Sequence, residues 1–468
     1  MVHRRAVSRI GRGCAGSVVL FLAFALPALA QTWEIELVDP SGTSDFTTSL
    51  KLDNAGYPHI SYFNVAYYDL EYAYKDGTGW HLETVDSPGS AGIYSALAID
   101  AAGFPHISYQ DALYQDLRYA HKDGTGWHLE TVDSGGDTGY YTSLALDDAG
   151  YPHVSYLDYV AGDSDLRYAY KDGTGWHLQT ADASGDVGGA TSLALDAAGY
   201  AHISYYDYTN GDLKYAHEDG AGWHVQAVDA AGDVGSCTSL ALDAAGYPHI
   251  GYFDDGNDDL KYAYHDGAGW HVQTVDAAGD VGEYASLALD AWCHPHISYH
   301  DGMNGGLRYV WCDASGWHTQ TVDPTDGAGS YTSLALGSDG CAHISYIDSP
   351  VYPYVYLNYA SMPGLAPMML SGELVGGTLE LTWAAVPQAS VYWVYGASNQ
   401  PWFTPGMAPG YAHRVMIVSP PDTTWSSTAG VGDPNANWTY LIMAVNATDQ
   451  ELTRSNRIGE HDYQTDIP

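Results

Sequence analysis

The chain has 468 residues, of which 57 are Asp or Glu and 16 are Lys or Arg, so its formal net charge is −41 at pH 7. A surface this acidic repels phosphate backbones and anionic lipid headgroups, which disfavours nucleic-acid binding and membrane insertion. Calcium is the one candidate cofactor, because hard cations prefer carboxylate and carbonyl oxygens. Solubility in a salty medium explains the same charge without any metal site.

The first 30 residues are predicted to be a secretory signal peptide. Four arginines precede the apolar run 17–26, and an Ala-x-Ala exit ends at Ala30. The run is too short to span a bilayer, and no later stretch approaches the roughly 20 apolar residues that a spanning helix needs. Loss of four arginines and no acids takes the net charge from −41 to −45. We expect a secreted protein, extracellular or at the cell surface.

The region after the signal peptide repeats one unit seven times. The element SLALD, or a close variant, recurs at intervals of 47, 47, 49, 47, 47 and 47 residues, beginning at Ser49, Ala96, Ser143, Ser192, Ser239, Ser286 and Ser333. Each copy holds four short apolar segments separated by Gly and Asp turns, which is typical of antiparallel strands joined by hairpins. This pattern predicts an all-β, seven-bladed β-propeller. A parallel β-helix is the alternative, and it would need shorter rungs.

The two ends of the repeat region predict how the ring closes. A Trp-led strand at 33–39 precedes the first SLALD element, whereas the last copy, 333–360, has three strands and no Trp-led strand after them. The N-terminal strand is therefore predicted to complete the last four-stranded blade, which leaves the ring without a free edge. The predicted domains are a signal peptide at 1–30, a propeller at 31–363 and a C-terminal domain at 364–468.

Residues that recur in nearly every copy are interpreted as structural. The Trp that begins each fourth strand is expected to fill space within or between blades. The Asp of SLALD is expected to cap a D-x-x-G turn. Seven histidines are expected to be half-buried and hydrogen-bonded within their own blades rather than to bind metal; they are His59, His106, His153, His202, His249, His296 and His343.

One face of the propeller is predicted to bind the ligand. The hairpins on one face are short and nearly constant, whereas the connections on the opposite face vary and include the one two-residue insertion, near 160–164. Variable loops on a rigid scaffold usually carry binding function. Acids and aromatic rings there suit sugars, and the candidate ligand-binding residues are Asp158, Asp207, Tyr208, Asp233, Asp254, Asp280 and Asp301. Turn capping is the alternative role for each Asp.

Nothing in the sequence singles out a catalytic constellation, and no catalytic residue is assigned. A glycosidase needs two carboxylates in distinct environments, whereas the acids here recur symmetrically. Arg118, Arg167 and Arg308 share one strand position and are interpreted as solvated. The prediction is a non-catalytic protein that recognises a glycan or another surface ligand. The alternatives are a glycoside hydrolase or lyase of the sialidase-like propeller type and a protein-binding scaffold without a small ligand.

Four cysteines follow the signal peptide, and export makes disulfides chemically allowed. Cys293 and Cys312 lie in two turns of the sixth copy that share a face, so a disulfide between them is predicted. Cys341, in the next blade, competes for Cys312. Cys237 lies on the opposite face and is expected to stay unpaired. Metal binding by these cysteines lacks a C-x-x-C spacing.

Both regions resemble known families. The consensus L-A-L-D-A-A-G-Y-P-H-I-S-Y resembles secreted bacterial propellers related to the NHL and sialidase-repeat groups. It departs from the Asp-box pattern S-x-D-x-G-x-x-W, which argues against sialidase activity. Residues 365–463 resemble a fibronectin type III module, which implies an immunoglobulin-like sandwich that acts as a spacer or in adhesion. In that resemblance Trp383 and Tyr392 are core markers and Tyr440 is the tyrosine corner.

Overall fold

The computed structural model describes residues 33–41, 44–87, 89–313, 316–351 and 354–362, together with eight C-terminal strands. The predicted signal peptide, 1–30, lies outside the described residues. Contacts group Gln31–Gly364 into one compact unit. The part of the chain that the structure describes contains no helix long and apolar enough to cross a membrane.

The unit Gln31–Gly364 consists of seven four-stranded antiparallel sheets. The N-terminal strand and blades 1 to 3 comprise β1 Glu34–Asp39; β2 Ser44–Leu52, β3 Pro58–Asn64, β4 Asp69–Asp76 and β5 Gly79–Asp86; β6 Ala91–Ile99, β7 Pro105–Asp111, β8 Asp116–Asp123 and β9 Gly126–Asp133; β10 Asp137–Leu146, β11 Pro152–Tyr159, β12 Asp165–Asp172 and β13 Gly175–Asp182. Blades 4 to 7 comprise β14 Val187–Leu195, β15 Ala201–Asp207, β16 Asp212–Glu218 and β17 Trp223–Asp229; β18 Val234–Leu242, β19 Pro248–Asp254, β20 Asp259–His265 and β21 Trp270–Asp276; β22 Val281–Leu289, β23 Pro295–Asp301, β24 Gly306–Asp313 and β25 Gly316–Asp323; β26 Ala328–Leu336, β27 Ala342–Val351 and β28 Tyr354–Ser361.

The predicted ring closure is confirmed. Blade 7 has the strand order β26-β27-β28-β1, so the N-terminal strand is the outermost strand of the last blade. Glu34 pairs with Ser361 and Ile35 with Ala360 in an antiparallel register. Splicing three late strands to one early strand joins both ends of the repeat region in a single sheet, and the protein is a seven-bladed β-propeller.

The first strands of the blades surround the axis of the propeller. β2 contacts β6 on one side and β26 on the other, which completes the circle. Side chains on the first strand of one blade form hydrogen bonds with backbone atoms on the first strand of the neighbouring blade. Ser333 Oγ accepts a hydrogen bond from Leu50 N at 2.9 Å, and Thr48 Oγ1 donates one to Tyr331 O at 3.0 Å. These bonds tie blade 7 to blade 1.

The hydrophobic core lies between blades rather than within them. Leu213 and Tyr215 of blade 4 pack with Leu240 and Ile250 of blade 5, and the other interfaces repeat this arrangement. The Trp of each outer strand packs edge-on against a tyrosine of the preceding blade, as Trp270 does on Tyr215 at 5.3 Å between ring centroids. The predicted role of the tryptophans in filling space between blades is therefore confirmed.

The recurrent histidines and turn aspartates are structural, as predicted. His249 is buried, and its Nδ1 is hydrogen-bonded to the hydroxyl of Tyr262 in the same blade. The equivalent bond occurs in all seven blades. Asp243 Oδ1 accepts hydrogen bonds from Ala245 N and Tyr247 N, each at 2.8 Å, and so caps its turn.

The first strands begin about five residues earlier than the SLALD pattern suggests. In blade 5 the strand starts at Val234, and its register shifts twice, between Val234 and Ser236 and between Ser236 and Ser239. Gly235 makes this path possible, because its φ is 105° and an added Cβ would lie 2.6 Å from the Cα of Leu213. The variable connection that enters blade 5 therefore ends in the strand that begins at Val234.

The C-terminal unit is described by its strands alone, which form two sheets of order β29-β30-β33 and β32-β31-β34-β35, with β36 also paired to β34. The strands are β29 Leu370–Val375, β30 Thr378–Trp383, β31 Val391–Ser398, β32 His413–Val418, β33 Thr424–Ser427, β34 Trp438–Val445, β35 Glu451–Arg454 and β36 Ile458–Gly459. The markers Trp383, Tyr392 and Tyr440 lie in β30, β31 and β34. The fibronectin type III assignment stays a prediction.

Candidate functional site

Two sets of connections meet on one face of the propeller, which we call the loop-rich face. The first set joins the outer strand of one blade to the first strand of the next blade. The second set joins the second and third strands within a blade. They bind one another through the backbone: Gly256 N donates to Asp233 O at 3.0 Å, and Thr209 N donates to Asp186 O at 3.3 Å. The predicted candidate residues all lie on or just beneath this face.

Beneath the loop-rich face, each blade interface holds a buried polar cluster, which we call the interblade clasp. A fully buried tyrosine of the second strand donates its hydroxyl to the Asp that ends the outer strand of the preceding blade. At the interface of blades 4 and 5, Tyr252 donates to Asp229 at 2.8 Å. Asp254 ends the second strand of blade 5 beside them. Lys261 Nζ lies between the two carboxylates, 2.5 Å from Asp229 and 3.5 Å from Asp254.

Five of the seven clasps contain such a cation from the third strand. The five Asp–cation–Asp sets are Asp86–Arg118–Asp111, Asp133–Arg167–Asp158, Asp182–Lys214–Asp207, Asp229–Lys261–Asp254 and Asp276–Arg308–Asp301. The interpretation of the three arginines as solvated is wrong. The neighbouring blade covers this strand position, so the guanidinium groups are partly buried, and each one forms ion pairs with two carboxylates.

The two remaining clasps flank blade 7, and neither has a cation. At the interface of blades 6 and 7, Asn358 occupies the position of the cation between Asp323 and Asp348. Burial, followed by the charge of Asp323, raises the pKa of Asp348 to about 6, although the Asn358 amide opposes this shift. At the interface of blades 7 and 1, Glu71 occupies the same position, and burial raises its pKa to about 6 as well.

Four of the predicted ligand-binding residues are clasp members: Asp158, Asp207, Asp254 and Asp301. Asp207, Asp254 and Asp301 are at most 2% exposed. They also cap the turn that follows them, as Asp207 does by accepting hydrogen bonds from Thr209 N and Asn210 N at 2.9 and 3.1 Å. Internal donors already engage these carboxylates, and their predicted role in binding a ligand stays a prediction.

A ring of seven residues on the first strands, which we call the inner ring, surrounds the axis at the loop-rich end. Its members are Thr47, Tyr94, Tyr141, Ala190, Cys237, Tyr284 and Tyr331. Six of them adopt a φ between 48° and 55°, which non-glycine residues rarely adopt and which the two register shifts impose. The tyrosines contact one another across blade boundaries, with ring centroids 4.6 Å apart for Tyr94 and Tyr141 and 4.4 Å apart for Tyr284 and Tyr331.

The inner ring is interrupted where blades 4 and 5 contribute Ala190 and Cys237 in place of tyrosine. A pocket of about 310 Å³ opens at this point. Its walls include Tyr141, Tyr206 and Tyr208, whose rings supply flat apolar surface. Tyr206 and Tyr208 meet edge to face with centroids 4.9 Å apart. Thr47 of blade 1 also replaces tyrosine, but in blades 4 and 5 two small residues are adjacent in the ring, and the pocket lies there.

Two carboxylates face the pocket, and no Lys or Arg is among the described residues that line it. Asp233 accepts a hydrogen bond from the hydroxyl of Tyr206, and Asp255 accepts one from the hydroxyl of Ser236. Burial, together with the charges of Asp233 and Glu283, raises the pKa of Asp255 despite the bond from Ser236. The site therefore combines aromatic walls with hydrogen-bond acceptors of high charge density.

The pocket contains two of the predicted residues, Tyr208 and Asp233, and the structure brings them together. Asp280 lies in the connection that enters blade 6 and is not among the residues that line the pocket. Sequence reasoning missed Ala190, Cys237 and Asp255. The first two carry a signal in the sequence, since aligned copies show tyrosine at that position in four of seven blades.

The predicted disulfide between Cys293 and Cys312 is not formed, because both residues are thiols in the structure. Cys293 occupies the glycine position of a D-x-x-G turn, with a φ of 63°, and Cys312 pairs across strands with Trp317. Each backbone is thus fixed by its own hairpin, and a disulfide requires matched Cα and Cβ positions. Cys237 is also a thiol. Burial raises its pKa to about 11, so it is neutral at physiological pH.

Within the described ranges, no group of three or more His, Cys, Asp or Glu side chains is arranged to hold a metal ion. Calcium as a cofactor therefore stays a prediction at this point.

The described residues of the repeat region form an all-β seven-bladed propeller with an asymmetric pocket at blades 4 and 5. No protein-family model and no curated protein matches the chain. Similar solved structures include a mutant of the Aleuria aurantia lectin in complex with Fucα1-6GlcNAc, at 14% identity and a TM-score of 0.43, covering 60% of this chain and 96% of the lectin. An ulvan lyase, a polysaccharide lyase, has 13% identity and a TM-score of 0.48, covering 65% and 90%. Penicillium chrysogenum α-L-arabinanase has 12% identity and a TM-score of 0.43, covering 69% and 94%.

Proposed function

We propose that the protein is a non-catalytic glycan receptor that binds one sugar residue in the pocket between blades 4 and 5. The observation that carries this proposal is the gap in the inner ring at Ala190 and Cys237, which opens a tyrosine-walled pocket beside Asp233 and Asp255. Because the pocket spans the adjacent ring members Ala190 and Cys237, we expect one sugar-binding site per chain. The predicted signal peptide supports binding outside the cell.

The chemistry of the pocket suits a saccharide. The C–H faces of a sugar ring pack on aromatic side chains, and its hydroxyls donate hydrogen bonds to carboxylates, which are stronger acceptors than neutral groups. A volume of about 310 Å³ lies at the lower end of the range of ligand pockets and suits a single monosaccharide unit. With two carboxylates and no cation in the pocket, we expect neutral sugars to bind better than uronates, sialic acid or sulfated sugars.

Glycoside hydrolysis is the second candidate function, and one observation favours it. Asp255 has a raised pKa while its neighbour Asp233 has a tyrosine donor, so the two carboxylates lie in distinct environments. Two carboxylates in distinct environments are the arrangement that glycosidases use. Product formation from chromogenic glycosides at wild-type protein, lost in Asp255→Asn, would establish this candidate in place of simple recognition.

The proposal is tested by a glycan array with the full chain, followed by calorimetry on the best neutral glycan. We expect binding with a stoichiometry of one. Cys237→Tyr places in blade 5 the residue that four other blades carry at the same backbone conformation, so it should fill the pocket without disturbing the fold. We expect at least a tenfold loss of affinity in this variant. Tyr151→Ala is the matched control, because Tyr151 is exposed and does not line the pocket.

Two results would contradict the proposal. The first is an array on which the wild-type protein binds no glycan, which would favour the protein-binding scaffold. The second is a Cys237→Tyr variant that binds its glycan as tightly as the wild type, which would place the site elsewhere on the propeller.

A further inference from the structure

We propose that a divalent cation with a preference for oxygen ligands, with Ca²⁺ as the probe, binds between Asp323 and Asp348 at the interface of blades 6 and 7. There it takes the place that a lysine or arginine occupies in five other interblade clasps. This inference is independent of the proposed glycan site, which lies at blades 4 and 5.

The five complete clasps show what the position requires. In each, a nitrogen cation of the third strand lies between two carboxylates from opposite sides of a blade interface. Lys261 Nζ is 2.5 Å and 3.5 Å from its two carboxylates, and the guanidinium of Arg308 is 3.5 Å and 2.6 Å from its own. A buried carboxylate pair without a counter-charge is costly, and the fold supplies a cation at each of these interfaces.

At the interface of blades 6 and 7 the two carboxylates are kept and the cation is lost. Asp323 is 5% exposed and accepts hydrogen bonds from Tyr346 Oη at 2.7 Å and from Thr325 N at 3.0 Å. Asp348 receives one long bond, 3.4 Å from Asn358 Nδ2 to its Oδ2. Its Oδ1 is buried and has no hydrogen-bond partner in the structure. Asp348 as a whole is partly exposed, but an orphaned, buried carboxylate oxygen beside the buried Asp323 carboxylate indicates a missing cation.

The chemistry of the position favours a hard divalent ion over other cations. Two carboxylates leave a charge of about −2 at neutral pH, which a divalent ion balances and a proton or a monovalent ion does not. Rotation of the Asn358 amide by half a turn would present its Oδ1, giving a third oxygen ligand from the chain. Calcium accepts such irregular oxygen sets and completes its coordination with water, and a site with only two carboxylates is expected to bind in the range of about 10⁻⁴–10⁻³ M.

The second clasp without a cation, at the interface of blades 7 and 1, does not carry the same inference. There Thr84 Oγ1 donates a hydrogen bond to Glu71 Oε1 at 2.9 Å, and Asp39 accepts bonds from Ser41 N and Tyr62 Oη at 2.8 and 3.1 Å. The longer side chain of Glu71 reaches a donor on the next strand. Among the described residues of the seven clasps, Asp348 is the one whose carboxylate has a buried oxygen without a hydrogen-bond partner.

Thermal unfolding of the full chain with and without Ca²⁺ tests the inference. After dialysis against EDTA, Ca²⁺ at ten times its dissociation constant should raise the unfolding temperature by about 2 °C in a unit of this size. Asn358→Lys introduces the residue type found at this position in two other clasps, as Lys214 between blades 3 and 4 and Lys261 between blades 4 and 5. This variant should unfold at a higher temperature than the wild type without Ca²⁺ and should lose the response to Ca²⁺. Lys214→Asn, in the clasp between blades 3 and 4, is the reciprocal control. Ca²⁺ should raise the unfolding temperature of this variant by more than it raises that of the wild type.

Terbium luminescence provides a direct measure of binding that does not depend on stability. Tb³⁺ replaces Ca²⁺ at oxygen sites and is sensitised by nearby tyrosine, and Tyr346 bonds directly to Asp323. We expect a Ca²⁺-displaceable signal in the wild type that falls in Asp348→Asn. Equal unfolding temperatures with and without 10 mM Ca²⁺ would overturn the inference. So would a full Ca²⁺ response retained in both Asn358→Lys and Asp348→Asn, since the ion would then bind elsewhere on the acidic surface.

Discussion

Substitution of Lys261 by methionine tests whether the interblade clasps stabilise the propeller. The side chain of Lys261 is 10% exposed, and those of Asp229 and Asp254 are 7% and 3% exposed. Lys261→Met keeps the bulk of the side chain and leaves two buried carboxylates without a counter-charge. Removing one partner of a buried ion pair costs about 3–5 kcal/mol. We take about 3 kcal/mol, because Tyr252 and Asn257 still donate hydrogen bonds to these carboxylates.

The expected change in unfolding temperature follows from the size of the unit. Unfolding entropy is about 2.1 cal/mol/K per residue, so a propeller of about 330 residues has about 0.7 kcal/mol/K. A loss of about 3 kcal/mol then lowers the unfolding temperature by about 4 °C, measured by scanning calorimetry at pH 7. Lys75→Met is the matched control. Lys75 pairs with Glu36 at 2.5 Å, but the two side chains are 29% and 33% exposed, and pairs of this kind contribute less than about 1 kcal/mol.

The reasoning would be refuted if Lys261→Met unfolded within 1 °C of the wild type, or if the two variants unfolded at the same temperature. Either result would mean that water or local rearrangement solvates the two carboxylates once the ammonium group is removed.

Three further predictions concern other features. Burial raises the pKa of Glu71 from 4.5 to about 6, so the folded protein binds this proton more tightly than the unfolded chain, and ionisation destabilises the fold as pH rises through that value. The difference corresponds to about 2 kcal/mol, so Glu71→Gln should raise the unfolding temperature by about 3 °C at pH 8 and leave it unchanged at pH 4. The opposite order would contradict this sign. Gly235→Ala should lower the free energy of unfolding by about 2–4 kcal/mol in a denaturant titration, because the added Cβ would meet the Leu213 backbone. Gly246→Ala should lower it by about 1 kcal/mol, because Gly246 has a φ of 83° but open space around it. Trp127→Ala should cost about 3 kcal/mol by the same titration, since it empties the space between blades 1 and 2, and a loss below 1 kcal/mol would remove the tryptophans from the core.

The architecture of the propeller was predictable from the sequence because it depends on period and order alone. Seven copies of four short apolar segments leave few arrangements, and the Trp-led segment before the first copy has one place to pair. The roles of the tryptophans, histidines and turn aspartates were also predictable. Each recurs in nearly every copy, and recurrence is typical of structure rather than of a single site.

The site was less predictable, because the surroundings of a side chain are set by the next blade, about 47 residues away in the chain. Asp254 and Asp233 both belong to Asp- and Gly-containing connections of the same face, yet one is buried beside Lys261 and the other faces the pocket. Arg308 was interpreted as solvated because other copies have Glu, Lys or Asn at its strand position, although blade 5 covers it. The departures from recurrence were the useful signal: Ala190 and Cys237 in the inner ring, and Asn358 in a clasp, each stand where other copies have a different residue.

The closing blade has a consequence for how the molecule is made. β1 is synthesised first and its partner β28 last, and Glu34 meets Ser361 across almost the whole length of the propeller. Contacts so distant in sequence form late and slowly. The nascent chain must therefore keep its first strand unpaired until six blades and most of a seventh have emerged. A ribosome-bound chain that stops short of residue 354 should present an open arc of blades with an unsatisfied edge, a natural target for chaperones.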